Sequence, residues 1–298
     1  IIQFTLTLVT GFLILPLVNY QMELLNLRDI KKVAMLVALI LCSNLLLSQS
    51  LVFQDSIPIS SAQKVKVDDL GNVFLLHRDN SVEVFTIRGQ HFTHNEKSLG
   101  TITNIDVSNP MRILLHYSEA NMVMFVDNTL TEMGRVQLQN FGIYGQNILV
   151  ANSKMGGFWV FDPIQQSINR FDIDGKKYAG NQLNGLNKNL QPSFIYEKNA
   201  KVYMSLKNGQ LVVFDINGTL SAKYGGKPSI SSEFQVEDES VYWLQNDTLY
   251  TFNTISHSEK KLPLSNPIFK NNSKPKVFVV DNKCYVLVKQ KILVYLIK

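Results

Sequence analysis

The feature that most constrains this chain is a hairpin-like unit that occurs six times. It is first met at Gly71–Phe85, GNVFLLHRDNSVEVF: an apolar run, a polar turn at Arg78-Asp79-Asn80, and a second apolar run closing on an aromatic. The unit comes back as Arg112–Phe125, Asn147–Phe161, Lys201–Phe214, Ser240–Phe252 and Lys283–Tyr295. The closing aromatics Phe85, Phe125, Phe161, Phe214, Phe252 and Tyr295 are spaced by 40, 36, 53, 38 and 43 residues. A repeat of about 40 residues built of strands and turns alone is the pattern of a β-propeller blade. Runs such as LVVF, MVMF and ILVY are apolar on both faces, as strands sandwiched between neighbouring blades must be.

The expected fold is therefore all-β: a single propeller of six blades, with apolar helix or helices only at the N-terminus. Each blade needs an inner strand, a central hairpin and an outer strand. The inner strands are expected at Val65–Val67, Ile102–Val107, Phe141–Tyr144, Ser193–Tyr196, Glu233–Val236 and Val277–Val280. The outer strands are expected at Gln90–Thr93, Glu132–Leu138, Ser167–Phe171, Leu220–Tyr224 and Glu259–Leu264. The sixth hairpin runs out of chain at Tyr295, so its outer strand must come from elsewhere. Leu51–Gln54 is the expected donor, because an open sheet edge invites association. The 53-residue spacing is too short to hide a seventh blade and is expected to hold an insertion, Asp174–Gln191. Turn residues stand where the hairpins need them: Asn208-Gly209, Asn246-Asp247 and Gly156-Gly157.

The N-terminal 50 residues read differently. Residues 1–21 carry an uncharged run, Ile1–Val18, which is either a transmembrane helix or upstream sequence read in frame. Residues 22–50 have the three parts of an export leader. Lys31-Lys32 precede the 15-residue apolar stretch Val33–Leu47, and a small polar segment, Ser48-Gln49-Ser50, follows. The leader is either cleaved after Ser48 or Ser50 or kept as an anchor. Both place residues 51–298, the propeller, outside the cytoplasm, with the membrane engaged only through the N-terminal segment. Cys42 follows Leu41 in mid-run, which does not fit a lipoprotein site, and Cys284 is left as a packed core thiol.

The stretch Val67–Gln90 resembles an NHL-type propeller repeat in Asp68-Asp69, Gly71-Asn72-Val73, Val84-Phe85 and Gly89. The units ending Phe161-Asp162 and Phe214-Asp215 resemble WD40-type and quinoprotein-type blades. The chain's style as a whole is similar to that of secreted propellers of Bacteroidota. The resemblance implies the fold and an envelope setting and carries no catalytic residue. Asp68, Asp69, Asp162 and Asp215 are expected to build turns. Trp159 and Trp243 are expected to pack between blades.

The net charge of +5 comes from lysines scattered through turns, which excludes a nucleic-acid stripe. The histidines His77, His91, His94, His116 and His257 form no HExxH and no Cys/His cluster, Asp172–Gly175 lacks the ligands of a calcium loop, and no GxSxG is present. No catalytic, cofactor or metal residues are assigned. The expected function is that of an exported, non-enzymatic scaffold of the bacterial cell envelope, monomeric as a domain, that binds a protein partner. The expected partner surface is the inter-blade insertion, through Lys176, Lys177, Tyr178, Asn181, Asn184 and Asn187. The rival is a lactonase-like hydrolase with a metal in the central channel, for which Asn104, Asp106 and Glu233 are the available donors. A quinoprotein dehydrogenase is a further reading that six short blades accommodate poorly.

Overall fold

The computed structural model describes residue 35 and residues 50–59, 62–183, 190–225, 230, 233–245, 248–264, 276–288 and 290–298. The chain divides into two units, Ile1–Gln49 and Ser50–Lys298. The expected transmembrane run and the leader, apart from Met35 and Ser50, lie outside the described residues. So do Asn184, Asn187 and the turn Asn246-Asp247. Among the described residues no helix is long and apolar enough to cross a membrane.

The second unit is a six-bladed propeller, each blade a four-stranded antiparallel meander. Strand β1 (Leu51–Pro58) is followed by blade 1: β2 (Lys64–Val67), β3 (Val73–Leu76), β4 (Val82–Phe85) and β5 (His91–His94). Blade 2 holds β6 (Ile102–Asp106), β7 (Ile113–Tyr117), β8 (Met122–Val126) and β9 (Glu132–Gln137). Blade 3 holds β10 (Leu149–Asn152), β11 (Phe158–Asp162), β12 (Ser167–Phe171) and β13 (Lys177–Gln182). Blade 4 holds β14 (Pro192–Lys198), β15 (Lys201–Leu206), β16 (Leu211–Asp215) and β17 (Leu220–Tyr224). Blade 5 holds β18 (Gln235–Glu237), β19 (Ser240–Gln245), β20 (Thr248–Asn253) and β21 (Glu259–Pro263). Blade 6 holds β22 (Lys276–Val280), β23 (Lys283–Val288) and β24 (Lys291–Ile297).

The outer strand of blade 6 is β1. It pairs antiparallel with β24 from Leu51↔Ile297 to Pro58↔Lys291, with a bulge between Phe53 and Asp55. The N-terminal strand thus closes the ring, as the count of outer strands requires, and it runs four residues beyond the expected Gln54. The closure is reinforced by Ser50 N–H donating to the Lys298 carbonyl at 2.9 Å and by an edge-on contact of Phe53 with Tyr295 at 5.7 Å.

The apolar core lies between blades rather than at one centre. Phe125 of blade 2 meets Phe158 of blade 3 at 5.7 Å. Trp159 and Phe161 of blade 3 pack with Met204 and Phe214 of blade 4. Trp243 packs with Tyr203 and Phe234 between blades 4 and 5. Both tryptophans are buried. Cys284 is fully buried between blades 5 and 6, and burial pushes its thiol up to about 12.

Blade 3 departs from the expected register by one strand. The unit Asn147–Phe161 supplies its first and second strands, not its second and third. Phe141–Tyr144 is not the inner strand. Leu138–Phe141 is a 3-10 turn ended by Gly142 in the left-handed region, where a side chain would be strained. The reason is a decoy. In four blades the third strand ends in an aromatic followed closely by Asp or Asn, whose side chain accepts backbone N–H groups of the next turn. Asp127, Asp172, Asp215 and Asn253 all do this. Phe161-Asp162 has the same letters but ends a second strand. Replacing Phe161 by Phe171 turns the uneven spacings 36 and 53 into 46 and 43, and the apparent insertion disappears. Ser167–Phe171, expected as the outer strand, is the third strand. One third of the supposed loop Asp174–Gln191 is the true outer strand, Lys177–Gln182.

Candidate functional site at the propeller axis

Inner strands run in one sense around the axis, so their first residues gather at one end and their last at the other. At the start end, Lys64 and Lys66 alternate along β2 and reach Glu233, just ahead of β18. The Lys64 Nζ donates to Glu233 Oε1 at 2.7 Å and to the Thr103 carbonyl at 3.0 Å, and the Lys66 Nζ lies 3.1 Å from Glu233 Oε2. Lys66 is buried, and its ammonium lies over the rings of Phe194 and Phe278 at 5.3 and 5.6 Å. Aromatic faces and a shared carboxylate together offset its desolvation. Although desolvation opposes it, the two lysines hold the Glu233 carboxyl well below the usual carboxylate range.

At the finish end, Lys198 closes β14 and donates to Asp69 Oδ1 at 2.9 Å, with Glu237 Oε2 at 3.5 Å. Lys154, in the turn after β10, reaches Asp69 Oδ2 at 3.2 Å. Asp69 therefore ties blades 1, 3 and 4 together, with its carboxyl pulled below the usual value by Lys198 and Lys154 against the opposing effect of burial. This corrects its expected role as a turn builder. The neighbouring Asp68 has that role, accepting N–H bonds from Leu70 and Asn72. Asp162 and Asp215 also cap turns. The pairing of Asp69 was not readable locally, because its partners are 85 and 129 residues away.

Between the two ends the axis is filled. Asp106 accepts the N–H groups of Ser108 and Asn152 at 2.9 and 2.8 Å. The space beside it, bounded by Lys66, Tyr196, Lys198 and Phe278, amounts to about 10 Å³, which is room for about one water. Tyr196 is buried there, and desolvation holds its phenol well above its ordinary value. Behind the axis, Arg112 clasps blade 3. It donates to Asn152 Oδ1 and to the Ser153 and Gly157 carbonyls at 2.7–2.9 Å, while stacking on Phe125. Glu197 accepts the Lys154 N–H and the Trp159 indole N–H.

The three donors available to a channel metal are not brought together. Glu233 belongs to the start end with its lysines, Asp106 faces the filled middle, and the Asn104 amide donates to the Val150 carbonyl at 3.0 Å. Among the described residues no group of three His, Cys, Asp or Glu side chains could hold a metal ion. The expected partner residues Lys176, Lys177, Tyr178 and Asn181 are exposed. They lie on the rim, in the β12–β13 turn and on the outer strand β13. The Tyr178 ring has Lys176 at 4.9 Å and Arg170 at 5.7 Å.

No family model and no curated protein matches this sequence. Solved structures do resemble the fold. A streptogramin B lyase is 14% identical over 84% of this chain and 98% of its own, with a TM-score of 0.55. Virginiamycin B lyase from Staphylococcus aureus is 13% identical over 83% of this chain and 88% of its own, with a TM-score of 0.54. BamB from Moraxella catarrhalis is 10% identical over 83% of this chain and 98% of its own, with a TM-score of 0.50. At these identities the likeness is one of fold, and the chain is similar to these proteins as a β-propeller.

Proposed function

We propose that this chain is an exported, non-enzymatic β-propeller of the bacterial cell envelope that acts as a protein-binding scaffold. The observation that carries the reading is the state of the axis. Its carboxylates Asp69, Asp106 and Glu233 are committed to ion pairs and backbone hydrogen bonds that join blades, and its middle is closed. Such groups hold a ring together, and they are not poised for proton transfer or metal binding. Function then falls to the surfaces of a rigid frame. Export rests on Lys31-Lys32 ahead of Val33–Leu47. The test is a reporter fused after Gln54 that is active only outside the cytoplasm. Activity confined to the cytoplasm would end the envelope reading.

A further inference from the structure

We infer that the start end of the axis is a binding site for a small hydroxylated monoanion of the sugar-acid class. A cavity of about 300 Å³ opens there, contributed by five of the six blades. That is at the low end of the range for small-molecule sites, about 300–1,000 Å³. The inference is independent of the scaffold proposal, since a propeller can hold a ligand at its mouth and a protein on its rim.

The charge of the cavity sets the charge of the ligand. Two ammonium groups, Lys64 and Lys66, share one carboxylate, Glu233. Among the described residues one positive charge is left over. Lys66 is buried under its aromatic rings, whereas Lys64 lines the cavity and spends two of its three N–H bonds, on Glu233 and the Thr103 carbonyl. Its third N–H has no partner among the described residues. His116 adds no charge near neutral pH, because burial lowers it to about 4. A single carboxylate matches this surplus. A polyphosphate would bring more charge than the cavity balances, and a cation would be opposed.

The rest of the wall sets the ligand's body. Thr103, Ser118 and Asn147 line the cavity and are exposed, the Thr103 hydroxyl donating to the His116 carbonyl at 3.2 Å. Ser193 also lines it, its hydroxyl 2.9 Å from that of Ser205. The remaining wall is largely apolar, with Ile148, Val150, Ile195 and Phe194, and it also holds Asn104 and His116. Alternating small neutral polar groups and C–H surface suit a hydroxylated ring, whose edges hydrogen-bond and whose faces are apolar. A hexuronate has both features and one carboxylate.

The test is calorimetric titration of the Ser50–Lys298 unit, which holds the complete ring, with glucuronate, galacturonate, glucose and glucosamine. The expected result is saturable one-to-one binding of at least one uronate and binding of glucose and glucosamine at least tenfold weaker. Lys64→Met should weaken uronate binding at least tenfold. Ser118→Leu, at an exposed turn position where folding is not at stake, should do the same by filling the mouth. Absence of saturable binding for both uronates would overturn the proposal. So would uronate binding that Ser118→Leu leaves intact, or glucose binding equal to that of the uronates.

Discussion

Trp159 shows how much a single side chain can carry here. It is fully buried between blades 3 and 4, and its indole N–H donates to Glu197, a carboxylate that is 1% exposed. Trp159→Ala and Phe214→Ala should each cost about 3–5 kcal/mol in denaturant unfolding. Trp159→Phe keeps most of the ring but removes a donor from a buried charged acceptor, and should cost about 1.5–3 kcal/mol. Wild-type midpoints for all three would place these residues outside the interface. Glu233 gives a prediction in pH. Its folded pKa is depressed by Lys66 and Lys64 below the unfolded value of 4.5. The stabilisation is therefore full above the unfolded pKa and is lost as pH falls through the folded one. The melting-temperature gap between the wild type and Glu233→Gln should be open near neutral pH and narrow below about pH 4. A gap constant down to strong acid would show that the carboxylate's charge is not what matters there.

At the scale of the element, most of the propeller was legible in the sequence. Strands with two apolar faces, turn residues between them and an aromatic closing each unit placed the strands of five blades. The missing sixth outer strand pointed to Leu51–Gln54. Blade 3 was misread because Phe161-Asp162 ends its second strand with the letters that elsewhere end a third. The signal that could have resolved it was the second such pair, Phe171-Asp172, followed by Asp174-Gly175 as a turn. The axial pairs were not legible at all. Lys64 and Glu233 are 169 residues apart, and only closure of the ring brings them to 2.7 Å. Closure itself is testable. A chain beginning at Ala62 lacks β1, exposes the edge of β24 and loses the Phe53–Tyr295 contact. It should melt at a lower temperature and self-associate, while a chain beginning at Leu51 should do neither. Equal melting temperatures and two monomers by sizing would mean that β1 does not close the ring.

On the scale of the whole molecule, the repeats fold into a frame whose centre is committed to holding itself together. Among the described residues five inter-blade clusters supply the apolar stability, and charge pairs at both ends of the axis fix blades that are distant in sequence. The scaffold proposal makes one demand of this arrangement: partner binding must survive loss of the axial ionisable groups as long as the ring stays folded. The direct measurement is crosslinking in cells, followed by affinity capture from envelope fractions and mass spectrometry. Wild-type chain is compared with a folded double variant, Asp106→Asn with Glu233→Gln. The account predicts the same partner, in stoichiometric amount, with both chains. Capture of no stoichiometric partner by the wild-type chain, or a chemical conversion of a bound compound that the double variant abolishes, would contradict it.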